Sequence, residues 1–542
     1  MYAAGYEGHG DLLVVGTRGT LEPNTALLVL RHGERLAREE LPPFMEELLE
    51  PWLDRAAREV NAVRELATSY IAGEPIPLHG LLRALKNRLS EFLSLALGQW
   101  STDMGATAFW RTFSALRWLV ASSVQDWVEA TALFIHRLAH DQKLLAQSLG
   151  GSCLPAIAFI EATTSDLHPR GAMVLKVGFG GGRCVFYKPR PVTGEWLWWS
   201  LLQAISADMT LPAGRVFFGG RSSGYAAYGW MESVLEDEAW PAPLNSEQTG
   251  SHLSYWENAG AVVCLAQHLR LTDLHMGNVL ATPHGPAITD AECLGLVSDT
   301  PSAADGFKHA THALRKTGLL PLRLDPDGVD VSGLFGRAVP ISGLRLSGWA
   351  VSQTGAWRLA AWPAALAHHR NLPKNATAGS HRTVAAQLCS GYRLGAELLM
   401  QARKQLLASG SAWRRILESR HAPRCVLRET FSYGKLLSNS LSALNGTNQS
   451  KRCESLTGML LVSGAALPDR VVQAELRALM SGSIPRLTIS QGGRSLRDSD
   501  GRTLQRDFTA FTPAEAVIHE LESLTPARLQ ESLLPALLAV LL

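Results

Sequence analysis

The sequence predicts an α+β fold, with a core of strands and helices set between two mainly helical regions. Three observations predict it. Apolar residues recur at helical spacing from about Leu41 to Leu149; β-prone runs split by Gly and Pro signals take over from about 151 to 300; and helical periodicity returns over about 383–408 and 413–419. With 542 residues the chain is too long for one hydrophobic core. The changes of pattern divide it into a lead-in over 1–22, a helical subdomain over 23–150, a core over 151–300 and a C-terminal subdomain over 301–542.

The lead-in is Gly-rich and without period, so it is expected to be flexible or partly paired. Leu41-Pro42-Pro43-Phe44 opens a helix in which Leu48, Leu49, Trp52, Leu53 and Ala56 form one apolar stripe. The period runs on through Leu81–Leu97 and Phe113–Leu149, and its aromatic residues are read as core. Beyond about 151, Gly178-Phe179-Gly180-Gly181-Gly182-Arg183 lies between two β-prone runs. A Gly-rich phosphate cradle usually leads into a helix N-terminus. Here a strand follows at once, so the segment is read as a hairpin turn. Trp196, Trp198 and Trp199 open a helix as packing residues. The Gly-, Asp- and Pro-rich span 324–348 reads as loops and short strands.

The residues that carry chemistry gather in Leu271 to Leu294, LTDLHMGNVLATPHGPAITDAECL. The pattern there is helix, polar loop, strand, tight turn, strand, with Asp290 just past a strand end. Phosphoryl transfer asks for a carboxylate that orients the nucleophile or accepts its proton, and for Asn and Asp oxygens that hold a Mg²⁺ bridging the phosphates. Asp273, His275 and Asn278, followed twelve residues on by Asp290, supply those groups on adjacent strand ends. Upstream, Val185-Phe186-Tyr187 delivers Lys188 before Pro189 ends the strand. Kinases keep the Lys that pairs with nucleotide phosphates in such a place. Each stretch alone also fits an ordinary surface, since Asp, His and Asn are common turn residues and a lone Lys snorkels.

The stretches Ser165-Asp166-Leu167-His168-Pro169-Arg170-Gly171, Tyr187-Lys188-Pro189-Arg190, Gly229-Trp230-Met231-Glu232, Asp273-Leu274-His275-Met276-Gly277-Asn278 and Thr289-Asp290-Ala291-Glu292 follow in order. Arg424-Cys425-Val426-Leu427-Arg428-Glu429-Thr430-Phe431-Ser432-Tyr433 and Gly482-Ser483-Ile484-Pro485 come after them. In that order and spacing they resemble the dehydratase domain of class II lanthipeptide synthetases, the LanM type. The resemblance covers about 30–530. Ser165, Gly277 and Ser483 stand where that family usually has Gly, Glu and Asp, and Ala172 stands where an Arg is expected.

The resemblance implies a kinase-like, more narrowly lipid-kinase-like, core and a two-step reaction on a ribosomal precursor peptide, leader plus core. ATP phosphorylates a Ser or Thr hydroxyl, and elimination of phosphate then leaves dehydroalanine or dehydrobutyrine. Asp273 would orient or deprotonate the hydroxyl, Asn278 and Asp290 would hold Mg²⁺, and Lys188 would pair with the nucleotide. His275 would orient the loop, and Glu292 would support the metal shell. Asp166 and His168 match a loop tied to phosphorylation, while Arg424 and Thr430, with Arg428, match the elimination residues. The resemblance stops where the family usually continues into a zinc-dependent cyclase domain, so linear products are expected. A separate cyclase is a further expected partner. The apolar tail 533–542 is its candidate dock, against the plainer reading that it packs on its own core.

Bulk composition adds exclusions. A net charge of +2 with 18% charged and 46% hydrophobic residues gives no general case for nucleic-acid or membrane binding. No run reaches the roughly 18 apolar residues that a bilayer span needs. Seven scattered cysteines without a C-x-x-C pair point to reduced thiols in a cytoplasmic setting. Two other functions stay open at this stage: a stand-alone peptide or small-molecule phosphotransferase, and a non-catalytic scaffold that binds a leader peptide or partner.

Overall fold

The structure is a computed structural model of the chain. It describes residues 41–541 except 69–75, 101–104, 164–167, 206–208, 210, 221–226, 235–248, 297–305, 322–329, 338–339, 353, 366–369, 374–380, 429 and 463–466, and before residue 41 only 12–13, 28–29 and 34–36. The expected lead-in therefore lies outside the described residues, apart from strand β1 (Leu12–Leu13), which pairs with β2 (Leu28–Val29). Strand β3 is Glu34–Leu36.

Four helices follow: α1 (Pro43–Thr68), α2 (His79–Leu97), α3 (Gly105–Thr112) and α4 (Ser114–Ser148). Pro43 suits the first position of α1, because the N–H it lacks would have had no partner inside the helix. Leu48, Leu49 and Ala56 are buried as the periodicity predicts, with Trp52 and Leu53 half-buried. Phe92, Phe109, Trp127 and Phe134 are core, not a ligand box.

The chain then forms β4 (Ile157–Ala162), β5 (Leu175–Phe179), β6 (Cys184–Lys188), α5 (Thr193–Ala204), β7 (Val216–Phe218) and β8 (Gly229–Glu232). The strands make one antiparallel sheet in the order β4-β5-β6-β8-β7. The Gly-rich segment is the β5–β6 hairpin turn, with Gly181 and Gly182 at φ 86° and 82°, where a Cβ is disfavoured. Period-2 alternation sorts the two faces of β6. Val185 and Tyr187 join the core of the N-terminal helices, while Phe186 and Lys188 face α5.

Helix α6 (Thr249–His268) leads into hairpin β9 (Val279–Thr282) and β10 (Gly285–Ile288), as the sequence pattern predicts, and α7 (Gly306–Lys316) follows. The span expected to hold loops and short strands instead enters a long hairpin, β11 (Pro340–Ser352) with β12 (Trp357–Ala365), which β3 joins at its edge. Its Gly and Ser residues dilute the β signal, and the register of the pair shifts between Pro340 and Arg345. Helix α8 (His381–Leu406) packs on α6 at very short range. A Cβ on Gly391 would lie 1.6 Å from the Glu257 carbonyl oxygen, and one on Gly260 would lie 2.1 Å from that of Leu388.

After α9 (Ala412–Ser419) come β13 (Arg424–Cys425), α10 (Thr430–Ser440), α11 (Ala443–Gly446), α12 (Gln449–Val462) and α13 (Asp469–Met480). Strands β14 (Leu487–Ile489), β15 (Leu496–Arg497) and β16 (Thr503–Gln505) complete a sheet ordered β13-β14-β15-β16. Helices α14 (Pro513–Ser523), α15 (Pro526–Arg528) and α16 (Leu534–Leu541) close the chain. Leu533, Leu534, Ala536 and Leu537 of the tail are buried in the core formed by α5, α6, α8 and α9. That core runs from Leu197 to Leu537, and a second one joins the N-terminal helices to the β4–β8 sheet. Packing thus cuts across the expected boundaries at 150 and 300. Among the described residues no helix is long and apolar enough to cross a membrane.

Candidate active site

A cavity of about 2240 Å³ opens between the N-terminal helices, the β4–β8 sheet, the Thr272–Leu280 loop and the β13–β14 strands. Among the described residues, thirteen Lys and Arg line it against seven Asp and Glu. The excess positive charge of a nearly neutral chain is concentrated here, which suits an anionic ligand.

On one side lies a buried ion-pair cluster. Lys188 ends β6, and its Nζ donates to Glu195 Oε1 and to the Thr289 carbonyl, both at 2.8 Å. Glu195 is in the first turn of α5 and also accepts from Arg190 Nη2 at 2.7 Å. Burial alone would raise its carboxyl pKa, but Arg190 and Lys188 outweigh burial and hold it below the usual range. Arg190 Nη2 further donates to both oxygens of Asp290 at 2.8 Å, and Lys188 Nζ stands 3.5 Å from Asp290 Oδ2. The Asp290 side chain keeps 24% of its surface exposed.

The acidic loop faces this cluster. Asp273 has φ 65°, an unusual setting for a residue with a Cβ. Burial raises its carboxyl pKa, with His275 and Arg424 opposing. Asn278 Nδ2 donates to the Asp273 carbonyl at 2.8 Å, so Oδ1 is the atom its amide leaves for a cation. His275 is exposed; its Nδ1 accepts from the Gly277 N–H at 3.1 Å and its Nε2 lies 3.3 Å from the Asn278 amide. The ring braces the loop, as expected of it.

Glu292 corrects an expectation. Instead of supporting a metal shell, its carboxylate is ringed by guanidinium groups: Arg424 Nη1 at 2.9 Å on Oε1, and Arg190 Nε at 2.9 Å and Arg486 Nη2 at 3.2 Å on Oε2. Burial would raise its pKa, yet Arg190, Arg424 and Arg486 hold it well below the usual range. His168 borders these cations and not the acidic loop. Its Nδ1 lies 3.2 Å from the Ile484 carbonyl, which only accepts, so the ring donates from Nδ1 and Nε2 is its acceptor. Burial, and after it Arg424, depress its pKa to about 3.

Thr430, the first residue of α10, is half-buried and lines the cavity with Arg424. Arg428 is not brought there. The turn after β13 swings it to Glu475, where Nε donates to Oε1 at 3.0 Å and Tyr433 donates to the same oxygen at 2.5 Å. Asp166 lies outside the described residues.

Glu195, Arg190, Arg486 and His421 belong to the site although the motifs gave them no role. Glu195 had a signal, as the lone acid in the apolar helix Thr193-Gly194-Glu195-Trp196-Leu197-Trp198-Trp199. Arg486 follows the Gly482–Pro485 block, and His421 sits in a loop with no motif at all. The His421 ring holds the cluster together. Its Nε2 lies 2.6 Å from the Leu294 carbonyl and its Nδ1 2.9 Å from Thr193 Oγ1.

A profile of a domain of unknown function, DUF4135, matches residues 113–490. The chain belongs to that family. The DUF4135 region contains the whole charged cluster, from His168 to Arg486, whereas α1 and α2, which line one wall of the cavity, precede it. No curated protein compared with the chain matches it.

Proposed function

We propose that this DUF4135 chain is an ATP-dependent dehydratase of the lanthipeptide type, which phosphorylates Ser or Thr of a precursor peptide and then eliminates the phosphate. One observation carries the reading. Lys188, held by buried Glu195, and an Asp/Asn/Asp set suited to phosphoryl transfer line one cavity with Arg424 and Arg486, which suit a departing phosphate. The Lys on a central antiparallel strand, paired to a Glu on the next helix, is the arrangement kinases use to hold nucleotide phosphates.

In the first step Asp273 accepts or orients the proton of the peptide hydroxyl, and the raised pKa from its burial brings the carboxyl nearer the range useful for proton transfer. Lys188, fixed by Glu195 and Thr289, sets its charge beside the phosphates of ATP. Asn278 and Asp290 would hold Mg²⁺. Mg²⁺ takes one or two protein carboxylates and completes its shell with phosphates and water, so the available Asn278 Oδ1 and the partly exposed Asp290 fit it. Bound there, the ion would neutralise charge on the phosphate oxygens.

In the second step the Cα–H bond of the phosphorylated residue breaks, a C=C bond forms, and the Cβ–O bond breaks with its electron pair leaving on phosphate. Arg424 holds the leaving group by charge-assisted hydrogen bonds. His168, neutral and with Nε2 as acceptor, takes the α-proton. Its depressed pKa makes it a weak base, and a phosphate dianion on Arg424 would offset that cation and strengthen it.

Incubation of the chain with a precursor peptide, ATP and Mg²⁺, followed by mass spectrometry, tests the reading. Loss of water per site is expected. Addition of phosphate without later loss would make the chain a phosphotransferase, and no change of mass with a bound peptide would make it a scaffold.

A further inference from the structure

Guanidinium groups crowd one carboxylate of the cluster. Arg424 and Arg486 both rest on the single carboxylate of Glu292, which also accepts from Arg190. Arg486 Nη2 donates to Glu292 Oε2 at 3.2 Å, and its buried Nε has no hydrogen-bond partner among the described residues. Burial lowers its pKa, with Glu292 opposing. A guanidinium with a buried N–H that lacks a partner favours a further anion.

The strand register explains why the two arginines converge. Arg424 pairs with Thr488 across β13 and β14. Arg486 is two residues before Thr488, so the period-2 alternation puts it on the same face as a diagonal neighbour of Arg424. Two residues earlier, the Ile484 carbonyl takes the His168 ring. All three of Arg424, Arg486 and His168 line the cavity.

We infer that Arg486 and Arg424 form a binding site for a monoester or inorganic phosphate dianion, with Arg486 as the second cation on the leaving phosphate. Its role in elimination rests on the function proposed above; the anion site does not. Glu292 holds the two guanidinium groups apart and in place until phosphate enters. In the elimination step, the electron pair of the broken Cβ–O bond ends on a phosphate held by both side chains.

Inorganic phosphate is the probe, titrated by calorimetry into the full chain without nucleotide, as wild type, Arg486→Met, Arg486→Lys and Glu292→Gln. Arg486→Met is expected to weaken phosphate binding at least tenfold. Arg486→Lys should recover part of it, since a Lys keeps the charge but not the forked donors. Glu292→Gln should bind phosphate more tightly than wild type, because the competing carboxylate charge is gone. No saturable binding to wild type would overturn the site. So would wild-type affinity in a folded Arg486→Met, or a Glu292→Gln that weakens binding as Arg486→Met does, since Arg486 and Glu292 would then be a structural pair. If Arg486→Met does not fold, the direction of the Glu292→Gln change decides alone. A synthetic phosphoserine peptide separates this site from the proposed function. Arg486-dependent phosphate binding in a wild-type chain that never eliminates phosphate from that peptide would sink the dehydratase reading and leave the site standing.

Discussion

The two ends of the charged cluster have the same ingredients and different arrangements. At the Lys188 end, Lys188 and Arg190 meet Glu195 and Asp290, two cations against two carboxylates. At the Arg424 end, Arg424, Arg486 and Arg190 converge on the carboxylate of Glu292. The Lys188 end is a fixed scaffold that presents one Lys and one Asp to the cavity. The Arg424 end gathers guanidinium groups around one carboxylate, a setting that suits a further anion. Two chemical steps on one peptide would call for that division, with a preset frame for transfer and an anion trap for departure.

The largest effect should fall on the transfer end. Asp273→Asn removes the proton acceptor while keeping shape, and phosphorylation should drop by roughly 10³–10⁴-fold, about 4–5.5 kcal/mol in the barrier. Single-turnover transfer of labelled phosphate to peptide checks it. A variant that keeps near wild-type transfer would remove Asp273 from the chemistry.

Glu195→Gln comes next. It leaves buried Lys188 and Arg190 short of one carboxylate, and breaking a buried pair costs about 3–5 kcal/mol. The urea midpoint should fall at unchanged slope. Removing the Arg424 end's carboxylate by Glu292→Gln should cost stability too, yet improve anion binding. If both substitutions behaved alike towards phosphate, the contrast between the two ends would be broken.

Arg424→Ala is smaller in free energy and sharper in outcome. A charge-assisted contact is worth about 1.5–3 kcal/mol. If it strengthens as phosphate departs, elimination should slow about ten- to a hundredfold while ATP use continues. Phosphorylated peptide should accumulate, read directly by mass. A folded variant that dehydrates normally would clear Arg424 of the role.

The two ends also differ in how far the sequence disclosed them. Asp273, Asn278 and Asp290 lie within one short stretch of loop and strand ends, Lys188 is joined to them in sequence only by the family resemblance, and the structure does place all four on one cavity. The α6–loop–β9–turn–β10 order and the β5–β6 hairpin were legible for the same reason, because each is local. Arg486 meets Glu292 across 194 positions and Arg428 meets Glu475 across 47, and no local pattern encodes such pairings. Glu292 was expected to support the metal shell because it stands beside Asp290, and the three distant guanidinium groups around it are not encoded locally. The β11–β12 hairpin was missed because Gly and Ser break up its alternation.

The smallest effect tests the seam between the ends. His421 is 1% exposed and three residues before Arg424 in the chain. Because the Leu294 carbonyl can only accept, the neutral ring donates from Nε2 and accepts the Thr193 hydroxyl at Nδ1. It thereby joins the start of α5, two residues from Glu195, to the segment just after Glu292. Burial depresses its pKa to about 4. The sign follows from linkage: the folded state stays neutral while the unfolded chain takes up a proton near pH 6.5, so stability is full above that pH and is lost as pH falls towards 4. Between pH 7.5 and 4.5 the His421 contribution should be on the order of 2 kcal/mol. His168 and the buried His268, both depressed by burial, add in the same direction. Denaturant midpoints across that range, compared with those of His421→Gln, isolate the term. The variant should be less stable at pH 7.5 but show a flatter acid slope. If its slope matched that of wild type, His421 would not be the acid-sensitive latch, and the join between the two ends would fall to contacts such as the Arg190–Glu292 pair.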